Sequence, residues 1–429
     1  MLIFEELGSL VEKRWRDVNY RESLFPEIAA GALAEANLIE RIDPWQIIRW
    51  VQRTPNLPPQ QDIAAKFGDP PITLYVAPRF YIDVYYWLDG TTDIHQHSFS
   101  GAFQVLLGSS IHCHYRFENS QAINEHFLIG NLTLENVTLL TRGDIRPIFP
   151  GASFVHSLFH LDRPSATITI RTNHTPTAAP QYSYRRPCIG EDSFFKEPSI
   201  TRKVQTLSLL FGMNHPETDV FAEELLRNSD LQTSFAVLEE AYRHLTSNSL
   251  QKVFNPSASH ERFQHLVQKA RDKHGQLVEI FQAVFEERER QLEIIRRRQF
   301  ITSEEHRFLL ALLLNVPDRS RIVELVGARF PNADPVETLI NWIEELSKTK
   351  VFGSSEANVL GIDNLDEDCL FVLECLFRDL SLEEMQKQFK LEYAAAATTE
   401  RERKLQGQAH SLLASTLFKP MFSGSAGLS

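Results

Sequence analysis

Apolar residues recur at helical spacing through the first part of the chain. In residues 2–17 and again in residues 25–53 they fall three or four positions apart, which is the period of one face of an α-helix. Residues 55–71 interrupt this pattern with prolines, which end helices. We therefore predict an N-terminal helical segment over residues 1–60.

The pattern changes at about residue 72, where runs rich in β-branched and aromatic residues begin. Residues 72–88 form the first run, and Pro78 limits any strand in it to either side of that position. Shorter runs follow, separated by turn sequences at residues 130–131 and 143–144. These runs occupy residues 103–107, 111–118, 128–150 and 165–172. Their spacing predicts a β-rich region over residues 61–190.

Residues 174–199 contain four prolines and no sustained period, which predicts an irregular strap and a domain boundary. Helical periods resume after it. They cover residues 200–211, 217–247, 257–299, 303–314, 318–329, 335–347, 366–378 and 381–392. Thr302 with Glu305 indicates a capping box, and Asp334 before a proline indicates another helix start. We predict a C-terminal all-α domain over residues 200–429.

Two histidine-bearing stretches of the β-rich region carry the candidate chemistry. Residues 87–108 place His95 and His97 two positions apart, between two apolar strands. Because alternate side chains of a strand share a face, both imidazoles can point at one ion. Residues 143–160 add a third imidazole, His156, after a Pro-Gly turn.

These stretches resemble the two metal-binding motifs of the cupins, which are small double-stranded β-barrels. The matching residues are Gly90, His95, His97 and Gly108 in the first stretch and Gly143, Pro150, Gly151 and His156 in the second. The resemblance covers about residues 70–180 and implies that His95, His97 and His156 hold a metal ion. With it, the predicted fold class is α+β: a cupin double-stranded β-barrel with a metal site, an N-terminal helical segment and a C-terminal all-α domain.

At Gly101 the sequence departs from most cupins, which usually carry a glutamate there as a fourth ligand. A site of three imidazoles without that carboxylate is similar to the cysteine dioxygenase-like, or thiol dioxygenase, branch. The first motif of that branch also shares Trp87, Gly90 and the Ile-His-x-His run at residues 94–97. The resemblance implies Fe(2+) as the metal, although Mn, Ni or Zn can occupy the same ligands.

One strand offers a candidate contact to the substrate. In residues 165–172, Thr167, Thr169 and Arg171 alternate where thiol dioxygenases carry Ser, His and Tyr. If this face points inward, Arg171 is a candidate clamp for a substrate carboxylate. If it points outward, the guanidinium lies in solvent. The sequence leaves both arrangements open.

Three further histidines lie near these stretches. His112 and His114 share a strand face and are either a second metal pair or side chains that line the barrel. His160, four residues beyond His156, is either a partner of a ligand or a surface residue. Whether any of the three contributes to the site stays open at this stage.

Composition limits the class of protein. The chain has 429 residues, a formal net charge of −12 and 29 phenylalanines, which fits a globular protein with large cores and argues against a nucleic-acid partner. Its four cysteines are too scattered for a disulfide framework. The N-terminus lacks a secretory signal, and no window approaches the ~20 apolar residues of a membrane span. We expect a cytoplasmic protein without a membrane partner.

The leading hypothesis is a non-haem iron(II) dioxygenase that uses O2 and a small anionic substrate, which carries a thiol if the branch resemblance holds. A competing hypothesis is a non-enzymatic metal- or ligand-sensing module that signals through the helical domain. That domain also offers a surface for a protein partner or for self-association. A third is another cupin reaction, such as isomerisation, with Mn, Ni or Zn. No phosphate-binding loop or nucleophile elbow supports nucleotide or hydrolase chemistry.

Overall fold

The structure, a computed structural model, combines α-helices with a closed six-stranded β-barrel. It describes the chain except for residues 62, 64–66, 89, 174, 176–179, 247–255, 299, 351–357, 363–364, 395–398, 416 and 423–429. The predicted strap at residues 174–199 and the predicted helices that end at residues 247 and 299 therefore lie partly outside the described residues.

Helices open the chain, as the apolar period predicts. They are α1 (Leu2–Asp17), α2 (Phe25–Ala36), α3 (Leu38–Arg41) and α4 (Pro44–Arg53). The start of α4 is fixed by its sequence, because the Asp43 carboxylate accepts the backbone N–H of Trp45 at 3.1 Å and Gln46 completes a capping box.

Strands follow, and every pairing among them is antiparallel. They are β1 (Pro71–Val76), β2 (Phe80–Trp87), β3 (Ile94–His97), β4 (Gly101–Leu107), β5 (Ser110–Asn124), β6 (Phe127–Leu140), β7 (Ile145–Ile148), β8 (Gly151–His160), β9 (Ser165–Thr172), β10 (Tyr182–Arg185) and β11 (Ile189–Asp192). Five form a sheet in the order β1-β2-β9-β4-β7, and six form a closed ring in the order β10-β11-β6-β5-β8-β3. Pro78 lies between β1 and β2, as predicted.

Alternation along β2 and β9 gives the five-stranded sheet two distinct faces. Ile82, Val84, Ile168 and Ile170 point outward into one hydrophobic cluster with the N-terminal helices. Tyr86 shares this face, and its hydroxyl donates to the carbonyl oxygen of Pro44 at 2.6 Å. The intervening side chains of both strands therefore point to the other face, toward the ring, where Trp87 stacks on His160 of β8. The five-stranded sheet and the six-stranded ring together are called the barrel from here on.

The segment predicted as an irregular strap contains two strands of the ring. β10 pairs with β3, with Ser183 opposite His95, and β11 pairs with β6, with Ile189 opposite Ile129. The sequence pattern does not predict this hairpin, because its two strands are only four residues long and are separated by Arg186 and a proline. Their backbone partners come from strands far away in the chain, and such tertiary pairing overrides local propensity.

Helices make up the rest of the described chain. They are α5 (Pro198–Met213), α6 (Thr218–Asn228), α7 (Leu231–Leu245), α8 (Pro256–His274), α9 (Glu279–Arg297), α10 (Glu304–Asn315), α11 (Arg319–Arg329), α12 (Pro335–Ser347), α13 (Glu367–Phe377), α14 (Leu382–Tyr393), α15 (Thr399–Ala414) and α16 (Lys419–Phe422). None of the helices in the described ranges has the length and apolar composition to cross a membrane.

The helix start at Asp334 is confirmed, and the one at Thr302 is off by one residue. The Asp334 carboxylate accepts the backbone N–H of Glu337 at 2.8 Å. Ser303, rather than Thr302, caps α10, since its hydroxyl accepts the backbone N–H of His306 at 3.4 Å. Both residues are good caps, so the pattern alone does not choose between them.

The outer surface of the barrel ring and the C-terminal helices form one hydrophobic cluster. Ile111 and Tyr115 on β5 belong to the same cluster as Phe308 and Leu312 on α10. The division into a barrel over residues 61–190 and a helical domain over residues 200–429 stays a prediction. The apolar packing is continuous across it.

Candidate metal centre

The three histidines of the two sequence motifs meet inside the barrel. His95 and His97 lie on β3, and His156 lies directly opposite His95 on β8. All three are buried, with exposed fractions of 7%, 6% and 3%. One nitrogen of each ring lies within 4.8 Å of the others, so the set can hold one metal ion.

Hydrogen bonds and distances fit an ion at this point. The Nδ1–H of His95 donates to the backbone oxygen of Asp93 at 2.7 Å, which leaves the Nε2 lone pair for a metal. The Nε2 atoms of His97 and His156 are 2.8 Å apart. Two imidazole nitrogens at a right angle, each ~2.1 Å from one ion, would be about 3 Å apart. The observed spacing is close to that value.

All three imidazoles are held in the neutral form that metals bind. Burial lowers the pKa of His95, and it lowers the pKa values of His97 and His156 well below the usual histidine range. Repulsion between the positive charges that neighbouring histidines would carry if protonated lowers the pKa values of His97 and His156 further. The lone pairs are therefore available at neutral pH.

His112 is the outer partner of His156. Its Nε2 lies 2.9 Å from Nδ1 of His156, and its own side chain is fully buried. When the Nε2 lone pair of His156 points at an ion, its Nδ1 must carry the proton and donate to His112. This hydrogen bond fixes both the tautomer and the ring orientation of a candidate ligand.

His114 and His160 lie outside the group of three. His114 is half-buried, and its ring packs edge-to-face with the ring of His112, with centroids 4.2 Å apart. His160 is buried, its Nδ1 is hydrogen-bonded to the hydroxyl of Ser165 at 2.8 Å, and its ring stacks on Trp87 with centroids 4.5 Å apart. Its surroundings are those of a packed core residue rather than of a surface residue.

Arg171 lies on the inner face of the barrel. Thr167, on the same face of β9, accepts from the indole N–H of Trp87 at 3.2 Å inside the barrel. The guanidinium of Arg171 lies 3.5 Å from the ring centroid of Phe99, and that ring is 4.5 Å from the ring of His97. Its positive charge contributes to the lowered pKa of His97.

Arg171 lacks an anionic partner in the part of the chain that the structure describes. None of the ion pairs among the described residues includes it, and its buried Nε has no hydrogen-bond partner there. Arg171 is only partly buried, but its Nε is shielded from solvent without a hydrogen-bond partner, so this position favours an anionic ligand.

The inner face of β2 contributes residues that the sequence motifs do not include. Tyr81, Asp83, Tyr85 and Trp87 alternate with the outward-facing side chains of this strand. The hydroxyl of Tyr85 donates to the Asp83 carboxylate at 3.0 Å, and burial raises the pKa of Tyr85. The period of two in residues 80–87 is the sequence signal that could have identified this polar pair.

Gly101 explains why the site has no fourth, carboxylate ligand. A Cβ atom at this position would lie 2.3 Å from the carbonyl oxygen of Ile170 on the neighbouring strand β9. No side chain fits between the two backbones without a shift of one of them. A carboxylate side chain at this position is therefore incompatible with the close approach of β4 and β9.

The comparisons with known proteins find only weak similarities to solved structures. No family model and no curated protein matches the chain. Among solved structures it is similar to hydroquinone 1,2-dioxygenase from Sphingomonas sp. TTNP3, with 9% identity over 25% of this chain and 67% of that chain and a TM-score of 0.20. It is also similar to a DMSP lyase from Ruegeria pomeroyi DSS-3, with 16% identity, 29% and 55% coverage and a TM-score of 0.19. A cupin 2 domain-containing protein from Halorhodospira halophila gives 14% identity, 33% and 80% coverage and a TM-score of 0.18.

These likenesses are local. The chain spans only 55% of the length of the DMSP lyase, and at TM-scores of 0.20 or below the matches carry no argument about activity. The barrel and its three-histidine cluster are consistent with the resemblance to cupins. The thiol dioxygenase branch stays a prediction.

Proposed function

We propose that the barrel binds a divalent first-row metal ion through His95, His97 and His156 and acts as a non-haem iron(II) dioxygenase on a small anionic substrate. The observation that carries this proposal is the convergence of three buried, neutral imidazoles on one point. Iron(II) bound by these three imidazoles would supply O2 activation. Manganese, nickel or zinc would fit the same nitrogens.

The residues around the imidazoles would bind and orient the substrate. Arg171 supports an anionic substrate, because its guanidinium can donate two parallel hydrogen bonds to a carboxylate. Phe99 places an apolar ring beside Arg171 and His97 and would exclude water from the contact, while Trp87 stacks on the neighbouring His160. Tyr85 and Asp83 supply a hydroxyl and a carboxylate to the same interior.

The role of Arg171 gives the most direct test of substrate class. We expect iron-loaded protein to consume O2 with small carboxylates, including thiol-bearing ones. Loss of a charge-assisted contact worth about 2–3 kcal/mol should raise the Michaelis constant of the Arg171→Ala variant about 30- to 150-fold at unchanged iron content. Arg49→Ala, which removes an exposed arginine of the N-terminal helix α4, is the control. Oxygen uptake by Arg171→Ala that equals wild type on an active substrate would contradict the clamp.

A sensing function is the second candidate, and one contact between the C-terminal segment and the barrel favours it. Arg298, which follows α9, donates to Thr91 at 2.7 Å and to the backbone oxygen of His160 at 2.5 Å. These groups lie beside the strands that carry His95 and His156. If metal binding changes amide exchange in α9 and α10 but iron-loaded protein consumes no O2 with any carboxylate or thiol, the sensing function replaces the enzymatic one.

A further inference from the structure

Four large apolar side chains are exposed together on helices α5 and α6. Leu209 and Met213 lie one turn apart on α5 and are 61% and 66% exposed. Val220 and Phe221 lie near the start of α6 and are 53% and 40% exposed. Single exposed apolar residues are common on protein surfaces, whereas a contiguous group indicates an interaction surface.

The two apolar pairs lie side by side, because one arginine contacts both helices. The guanidinium of Arg262 on α8 donates to the side chain of Asn214 at 3.4 Å and to the carboxylate of Asp219 at 2.8 Å. Asn214 directly follows Met213 at the end of α5, and Asp219 directly precedes Val220. The four exposed apolar residues therefore form one surface, which we call the α5–α6 face.

Helical spacing separates this face from the buried side of each helix. Leu207 and Phe211 of α5 pack into one hydrophobic cluster with α7, α8 and α9, and Ala222 and Leu226 of α6 belong to the same cluster. The exposed apolar residues occupy the opposite sides of the two helices. They do not contribute to the hydrophobic cores of the described chain.

Charged residues of opposite sign flank the apolar pairs. Arg202 and Lys203 are exposed on α5, and Arg202 lies two turns before Leu209 on the same stripe. Glu217 and Glu224 are exposed on the side of α6 that carries its apolar pair. None of the ion pairs among the described residues includes any of these four charged side chains.

The other charges of the two helices already have partners. Asp219 pairs with Arg262 at 2.8 Å, and Glu223 pairs with Arg227 at 2.6 Å. Helix α5 itself contains no acidic residue, and the carboxylate of Glu197, which precedes it, accepts a backbone N–H of its first turn. The exposed side of α5 is therefore basic, and the exposed side of α6 is acidic.

We propose that the α5–α6 face binds the same face of a second copy of the chain. A two-fold axis that runs between the helices would place α5 of each copy on α6 of the other. The apolar pairs then meet each other, and the basic side of one copy faces the acidic side of its partner. A second copy fits because the face carries both complementary halves itself.

The small size of the face sets the strength that we expect. A standard protein interface contains about 20–30 residues on each side, more than the α5–α6 face offers. We therefore expect a reversible dimer that dissociates on dilution. Because exposed charges contribute to the contact, added salt should also weaken it. The interaction does not depend on the function proposed for the metal centre.

The test is sedimentation equilibrium of the full chain at about 1 to 100 µM, the range of a weak dimer. We expect the weight-average mass to rise with concentration from one chain towards two. Leu209→Glu and Met213→Glu each place a carboxylate in the contact and should raise the dissociation constant about 10-fold or more. Leu391→Glu, which replaces an exposed leucine of α14, is the matched control and should leave the association unchanged.

Charge reversal tests the arrangement of the two copies. The double variants Arg202→Glu/Lys203→Glu and Glu217→Lys/Glu224→Lys should each fail to associate with themselves, because like charges then face each other. An equimolar mixture of the two should associate again, since each supplies the charges that the other needs. All four residues are exposed, so these variants keep the test decisive if an apolar variant fails to fold.

Three results overturn the proposal. The first is a wild-type chain that stays monomeric at about 100 µM. The second is association that persists unchanged in both Leu209→Glu and Met213→Glu, since the copies then meet at another surface. The third is a mixture of the two charge variants that stays monomeric, which contradicts the contact of α5 with α6 of the partner.

Discussion

The imidazole of His156 has a partner on each ring nitrogen, and this arrangement sets the chemistry of the site. Nε2 faces His97 at 2.8 Å, and Nδ1 faces His112 at 2.9 Å. A metal-bound His156 needs an acceptor on Nδ1, which His112 provides. The fourth imidazole therefore matters for metal affinity although it is not one of the converging three.

Replacement of His112 should weaken metal binding. We expect His112→Leu to lower metal affinity about 10- to 100-fold, the usual effect of losing an outer partner of a ligand, as measured by competition with a chelator. His112→Gln, which can keep an acceptor near the lost nitrogen, should recover part of the loss. His114→Leu is the control, since His114 lies on the same strand face without a hydrogen bond to the three. Equal affinities in His112→Leu and His114→Leu would exclude this role.

His160 should make folding stability sensitive to acid. Burial lowers the pKa of His160 to about 3, while an unfolded histidine titrates near 6.5. Between these values the unfolded state binds a proton that the folded state does not, so stability falls as pH drops below about 6.5. The free energy of unfolding of wild type should fall about 1.4 kcal/mol per pH unit more steeply than that of His160→Asn over this range. Parallel curves from denaturant titrations would contradict this.

The sequence predicts the three converging histidines because their positions follow from strand alternation and from the resemblance of two motifs. It does not predict His112 as a partner of His156, because that contact depends on the pairing of β5 with β8. For the same reason the sequence does not predict on which face of β9 Arg171 lies. The structure assigns it to the inner face, because Ile168 and Ile170 of the same strand pack outward against the N-terminal helices.

At the scale of elements, the site depends on how closely β4 approaches β9. Gly101 lies where the two backbones meet. From the sequence alone, Gly101 was notable only because it replaces the glutamate of other cupins. The absence of space for a side chain follows from the sheet order, in which β4 and β9 are neighbours although they are far apart in the sequence.

Substitution of Gly101 should therefore destabilise the barrel. We expect Gly101→Ala to lower the free energy of unfolding by about 1–3 kcal/mol, since its Cβ would lie 2.3 Å from a backbone oxygen. Gly31→Ala, in α2, is the matched control: its Cβ meets only an arginine side chain at 3.5 Å. Alanine in a helix interior should raise stability by about 0.5–1 kcal/mol. Equal effects of the two substitutions on denaturant midpoints would contradict this explanation.

At the scale of the whole molecule, the barrel is packed on both sides. The N-terminal helices cover the five-stranded sheet, and the C-terminal helices share a hydrophobic cluster with the ring. The helical and β-rich regions were predictable from their apolar periods. The packing between them was not, because the residues that meet lie up to about 200 positions apart, as Ile111 and Phe308 do, and share no local pattern.

The central claim is that His95, His97 and His156 bind one metal ion. Its most direct test is the metal content of purified protein, measured by mass spectrometry after expression in iron-replete medium. We predict close to one ion per chain in wild type and in His114→Ala, and a loss of most of that metal in His95→Ala, His97→Ala and His156→Ala, with circular dichroism unchanged. Full metal content in all three single variants would contradict the account.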